Sequence, residues 1–213
     1  MAVDQSLIER IAQSLRTARA SLPSAGAPAN DPLLREVAGR GLADVNEGKA
    51  GSRDSILTRA AELYGSKRGT EDTPPTGFDP AAAALFEALV EGAFLVANAD
   101  GEFDAEERAA FEQVVLAATN QSVAGNQLAA LLADLSAQLG EDGMDKRLQV
   151  VARTVAKSEA QHEVLRVAAL VAQISGGVSD VERSTMTKLA AGFGLPESSV
   201  DAAVAAARDA LAS

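Results

Sequence analysis

The sequence predicts an all-α protein, and three observations carry that expectation. Apolar residues recur at helical spacing along most of the chain, and no segment alternates as a half-buried strand does. Aromatic residues make up only 3% and Trp is absent, so the core must be built mainly from Ala, Leu and Val, a mixture that suits close-packed helices better than sheets. Helix-start signals recur, among them Asp31-Pro32, Asp79-Pro80 and Ser179 followed by Glu182. A chain of 213 residues with 47% hydrophobic content can bury a sizeable core as one domain, or as one domain with an appendage.

The elements follow in order. From Asp4 to Leu22, the residues Leu7, Ile8, Ile11, Leu15, Ala18 and Leu22 form an apolar stripe, with Arg10, Arg16 and Arg19 largely off it. This is an amphipathic helix that must dock on something. Pro23 to Pro32 reads as a linker. Leu33, Leu34, Val37 and Leu42 make a weaker helix interrupted by Gly39 and Gly41, and Ser52 to Tyr64 makes a third short one. Gly65 to Gly77 is polar and contains Pro74-Pro75, so it marks the clearest boundary. The chain therefore divides into an amphipathic helix at 1–22, a linker with short helices at 23–78, and a helical domain at 79–213. The domain opens at Asp79-Pro80 with a long apolar helix through Leu85, Phe86, Leu89, Val90, Ala93, Phe94 and Ala97. Further helices are expected at about 104–118, 123–139, 142–157, 159–173, 179–192 and 196–211.

Charge narrows the function. The net charge is -11, divided as +2 over residues 1–69 and -13 over residues 70–213. Nucleic acid is a poor partner for such a chain and none is expected, since a phosphate backbone needs a basic footprint. A cation or a basic partner would go to the second part. With no Cys, disulfides, thiolate metal sites and cysteine nucleophiles are excluded. The charged start at Asp4, Glu9 and Arg10 does not read as a signal peptide, and no stretch reads as a membrane span, so the expected location is cytoplasmic.

Residues 97–108 (ANADGEFDAEER) align without a gap on residues 172–183 (AQISGGVSDVER), at an offset of 75. Each copy is an apolar helix, a Gly-containing turn, then a helix opening with acidic residues. A duplicated unit of this kind tends to pack with pseudo-twofold symmetry, which would bring the two turns near each other.

The first turn carries Asp100, Glu102, Asp104, Glu106 and Glu107. Set on a calcium loop with Gly101 as its glycine, Asn98, Asp100, Asp104 and Glu107 fall on ligand positions and Phe103 on an apolar one. The first ligand position falls on Val96, so this is half a loop. Asp100, Asp104 and Glu107 are the candidate ligands, and hard carboxylate oxygens point to calcium or magnesium. The competing reading is capping: Asp104 with Glu107, and Ser179 with Glu182, have capping-box spacing, which would leave the glutamates satisfying backbone N–H groups.

The run ANADGEFDAEER between two apolar helices resembles the A-D-G-x-x-x-x-x-E signature of the tellurite-resistance TerB family, and the copy at 172–183 fits the same pattern. The resemblance covers about residues 79–211. It implies a compact helical bundle with no catalytic activity. It also implies a stress-associated binding or scaffold role, acidic clusters, divalent-metal binding and a protein partner. The matching positions are Asp100, Gly101 and Glu107 in the first copy, and Gly176 and Glu182 in the second. Ser175 departs from the pattern, because it stands where Asp100 stands in the first copy and removes one hard ligand. A metal-free adaptor that docks its N-terminal helices on a partner, or on another copy as a homo-oligomer, is the alternative.

Three other features are weaker. His162 is the only histidine, in an expected helix start where Ser158 and Gln161 have capping-box spacing, and it reads as a lone surface side chain. Ser175-Gly176-Gly177 lacks the strand and Lys of a phosphate loop. Glu141-Asp142-Gly143 lacks the glutamate that would complete a calcium loop and reads as a plain loop.

Overall fold

The computed structural model describes residues 5–16, 55–65, 80–101 and 103–212. The expected helix at Leu33 to Leu42, both linkers, the last residues of the first helix and Glu102 lie outside them. Among the described residues there are nine helices and no strand, so the all-α expectation holds. They are α1 (Gln5–Arg16), α2 (Ile56–Gly65), α3 (Pro80–Ala97), α4 (Ala105–Ala118), α5 (Gly125–Asp142), α6 (Met144–Thr154), α7 (Ser158–Val171), α8 (Asp180–Gly192) and α9 (Ser198–Ala212).

Helices α3 and α7 are the first helices of the two repeat copies, and they pack against each other at the centre. Helix α3 is apolar nearly all round because it is covered nearly all round, by α2, α6, α7 and α8. It is also the one helix among the described residues with the length and apolarity to cross a membrane, which the sequence reading did not anticipate; most of it is buried in the bundle. The two central helices approach closely at Gly92, where a Cβ would overlap a methyl group of Val164. Only glycine fits there without repacking.

The core is continuous. Phe86, Phe94, Phe111, Leu132 and Leu165 are fully buried. Ile8, Ile11 and Leu15 of α1, with Leu57 and Ala61 of α2, belong to the same buried cluster. The stripe on α1 therefore docks on the body of the protein, chiefly against α4 with α7 and α9 beside it, while Leu7 is only partly buried.

Helix α1 is held at its C-terminal end and at Arg10 by groups distant in sequence. The Arg166 guanidinium donates to the Ser14 carbonyl at 2.8 Å and the Leu15 carbonyl at 3.3 Å. Ser55 N–H donates to the Arg16 carbonyl at 2.7 Å, so the chain leaves α1 and re-enters before α2 at one point. Arg10 donates to the Leu211 carbonyl at 2.7 Å, near the end of α9. These contacts satisfy carbonyls that a helix C-terminus leaves without partners.

Candidate functional site

Both repeat turns are built alike. After α3, Ala99 N–H donates to Val96 and Gly101 N–H to Asn98; after α7, Ile174 N–H donates to Val171 and Gly176 N–H to Gln173. Each pair is related by the same offset as the sequence repeat. Gly101 (φ +83°) and Gly176 (φ +100°) both adopt the left-handed backbone that glycine tolerates, which explains why both copies carry it. Phe103 anchors the first turn, with its ring edge-on to Phe94 and Phe111 at centroid distances of 5.7 and 5.9 Å.

The caps are formed. Asp104 Oδ1 accepts from the N–H groups of Glu106 (2.7 Å) and Glu107 (2.8 Å), and Asp104 N–H donates to Glu107 Oε2 at 3.2 Å. In the second copy, Glu182 Oε2 accepts from Ser179 N–H at 2.8 Å and from the Ser179 hydroxyl at 2.9 Å, while Glu182 N–H donates to Ser179 Oγ at 3.3 Å. No capping box forms at α7. Ser158 is already its first helical residue, with Lys157 before it, and Gln161 instead donates to the Val155 carbonyl at 2.9 Å.

The two turns meet. A cavity of about 20 Å³ lies between them, lined by Ala97, Phe103 and Glu107 from one copy and by Ala172, Ser175 and Glu182 from the other. That is room for roughly one water molecule. Glu182 is buried and Glu107 half-buried. Burial pushes the Glu182 carboxyl above the usual range, and the charges of Asp100 and Glu107 push the same way, against the hydrogen bonds from Ser179. Three carboxylates from two copies thus act on one junction.

This arrangement is not a ready-made ion cage. Val96 is fully buried in the last turn of α3, so no ligand enters at the missing loop position. Asp104 and Glu107 each have an oxygen committed to a cap. Ser175 turns its hydroxyl back onto the Ala172 carbonyl at 3.1 Å. Among the described residues, no three His, Cys, Asp or Glu side chains are grouped so as to hold a metal ion. As placed, Asp100, Asp104 and Glu107 do not fit a closed coordination shell.

His162 stands half-buried one turn into α7, with Nδ1 2.8 Å from the Ser158 carbonyl. Asp142 ends α5 and pairs with Lys146 and Arg147. Its hydrogen bond with Lys146, then that with Arg147, hold its carboxyl below the usual range.

Sequence reasoning missed two buried ion pairs. Glu91 in α3 meets Arg147 of α6 at 2.6 Å, and Glu163 grips Arg166 through two bonds of 2.7 Å within α7. A charge at a core-facing position of an otherwise apolar helix was the available signal for Glu91. No family model matches the sequence, no curated protein is significantly similar to it, and no solved structure is significantly similar to its fold.

Proposed function

We propose that this is a non-enzymatic, stress-associated binding or scaffold protein, similar in role to tellurite-resistance proteins, whose paired turns are its recognition element and take a divalent cation weakly. The supporting observation is the convergence of Asp100, Glu107 and Glu182 on one junction, where burial and the neighbouring charges of Asp100 and Glu107 disfavour the ionised Glu182 carboxylate. A cation relieves that repulsion. Glu107 already commits one oxygen to Asp104 N–H and so offers few free lone pairs, so affinity should lie at about 10⁻⁴–10⁻³ M, the range of weak calcium modules.

Thermal melting in millimolar calcium or magnesium, at matched ionic strength, tests this reading. The melting temperature should rise through linkage. Asp100→Asn should abolish the rise and Asp180→Asn should keep most of it. An unchanged melting temperature in both ions would remove the cation from the proposal.

A second reading is a metal-free adaptor that self-assembles through its N-terminal helix. Its metal-free part is favoured by the burial of Val96 at the missing ligand position and by the cap bonds that engage Asp104 and Glu107.

A further inference from the structure

Helices α1 and α4 pack side by side, and the polar flank of α1 forms one wall of an open cleft of about 800 Å³ between them. Ile8 and Leu116 give the cleft an apolar lining. Four glutamines also line it: Gln5 and Gln13 from α1, Gln113 from α4, and Gln121 just beyond α4. Its charged groups are Glu9, Arg10 and Arg16, so two cations and one carboxylate leave it at +1 on a chain whose net charge is -11. The volume lies within the roughly 300–1,000 Å³ of small-molecule sites. The cleft shares no residue with the junction of the paired turns.

Arg16 lacks an acceptor. Its Nε is buried without a hydrogen-bond partner, the one such side-chain atom among the described residues. The helix dipole accounts for a cation in the last turn of α1. It does not account for a buried N–H with no acceptor, which costs free energy until one is supplied. Nε and the neighbouring Nη form the fork that a guanidinium offers to the two oxygens of one carboxylate. Arg10, by contrast, already donates to the Leu211 carbonyl. A second observation marks the rim of the cleft. Gln121 adopts φ +60° beside Asn120 at +51°, and these are the only non-glycine residues with positive φ among the described residues. Asparagine tolerates that backbone and glycine fills it at the lowest cost, so the turn holds a glutamine at the cleft against its own backbone preference.

We propose that the α1–α4 cleft binds a small organic monocarboxylate that carries hydroxyl or amide groups. The Arg16 guanidinium takes the carboxylate, with Nε donating to one oxygen and an Nη to the other. The glutamine amides, each able to donate and to accept, take the neutral polar groups of the ligand. Charge selects a monoanion: one carboxylate neutralises the cleft, whereas a dianion such as phosphate would leave an excess of negative charge beside Glu9. An oxygen that meets the buried Nε is also screened less by water than one on the open surface, which strengthens the pair.

The test titrates the full chain with sodium gluconate and, separately, with N-acetylglycine at constant ionic strength, and follows the Arg16 Nε–H and Gln113 side-chain amide resonances by NMR. Both should shift saturably, half complete at roughly 1–10 mM, the affinity that a ligand of this size reaches at ordinary efficiency. The two probes separate a hydroxyl-bearing ligand from an amide-bearing one. Sorbitol, which lacks the carboxylate, should leave both resonances in place. Arg16→Lys keeps the charge but loses the fork, and read on Gln113 it should weaken binding at least about fivefold. Gln121→Gly should raise the melting temperature by relieving the positive φ, yet weaken binding several-fold. An equal response to phosphate means an unselective counter-ion and overturns the proposal. So does the absence of a shift with either carboxylate up to about 50 mM, and so does binding that neither variant changes.

Discussion

Glu91 and Arg166 occupy the same position in the two repeat copies, and each reaches from its central helix to fix a peripheral one. Glu91 in α3 takes Arg147 and so holds α6. Arg166 in α7 takes the Ser14 and Leu15 carbonyls and so holds α1. The two copies carry opposite charges at this one place, and their partners match: a cationic side chain for the carboxylate, a helix C-terminus for the guanidinium.

Breaking the first of these contacts should be expensive. Glu91 and Arg147 side chains are 8% and 12% exposed, so Arg147→Met leaves a buried carboxylate unpaired. The expected loss is about 3–5 kcal/mol by urea denaturation at neutral pH. Glu91→Gln/Arg147→Met should recover most of it. Burial already holds the Glu91 carboxyl above its usual range, against the pull of Arg147. A carboxyl raised on folding costs stability when ionised and regains it as pH falls, so the Arg147→Met deficit should shrink on acidification through that raised range.

Gly92→Ala should destabilise by about 1–3 kcal/mol, because the new methyl collides with Val164 in a packed core. At roughly 2–4 °C per kcal/mol for a chain of this size, calorimetry will resolve the shift. Gly140→Ala is the control. Gly140 lies in α5 with no neighbour in the way of a Cβ, and alanine there should stabilise by about 0.5–1 kcal/mol.

Glu182→Gln should raise stability at neutral pH. The amide can still accept from Ser179 N–H, and it removes a charge that burial, Asp100 and Glu107 all disfavour. The sign follows from a folded carboxyl raised above its unfolded value: the ionised form costs stability, and acid relieves the cost. The advantage of glutamine should therefore fade as pH falls through the raised range of Glu182. A difference that stays constant with pH would place the effect in packing.

Asp104→Ala removes the acceptor of two backbone N–H groups at the start of α4. A loss of about 0.5–2 kcal/mol is expected in chemical denaturation, with or without divalent ions. The same variant measured in calcium separates the cap from any ion, because a cap contributes equally in both.

Helix type and placement were legible because the apolar spacing of α4, α8 and α9 and the caps at Asp104 and Ser179 act locally. The repeat was legible for the same reason, since Gly101 and Gly176 meet a backbone requirement that glycine alone fills cheaply. What sequence could not supply was the partner of a buried charge. Nothing near Glu91 names Arg147, and nothing near Arg166 names a carbonyl at Ser14. The capping box expected at Ser158 failed because the helix began one residue earlier than its spacing required, within the error of any boundary. The ligand pattern at Asp100, Asp104 and Glu107 was read from spacing, and spacing does not reveal which oxygens a helix start has already engaged.

The enclosure of α3 has a consequence during synthesis. Of its covering helices only α2 precedes it, and α6, α7 and α8 lie later in the chain, so α3 emerges from the ribosome with much of its apolar surface bare. For that interval it has the length and apolarity that spanning a bilayer requires. Glu87 and Glu91 stand near its middle, and a charged side chain at the centre of a bilayer costs about 2.5–3.5 kcal/mol on insertion scales. The carboxylate of Glu91, which the finished bundle must pair with Arg147, thus also biases the nascent helix away from the bilayer before that partner has been translated.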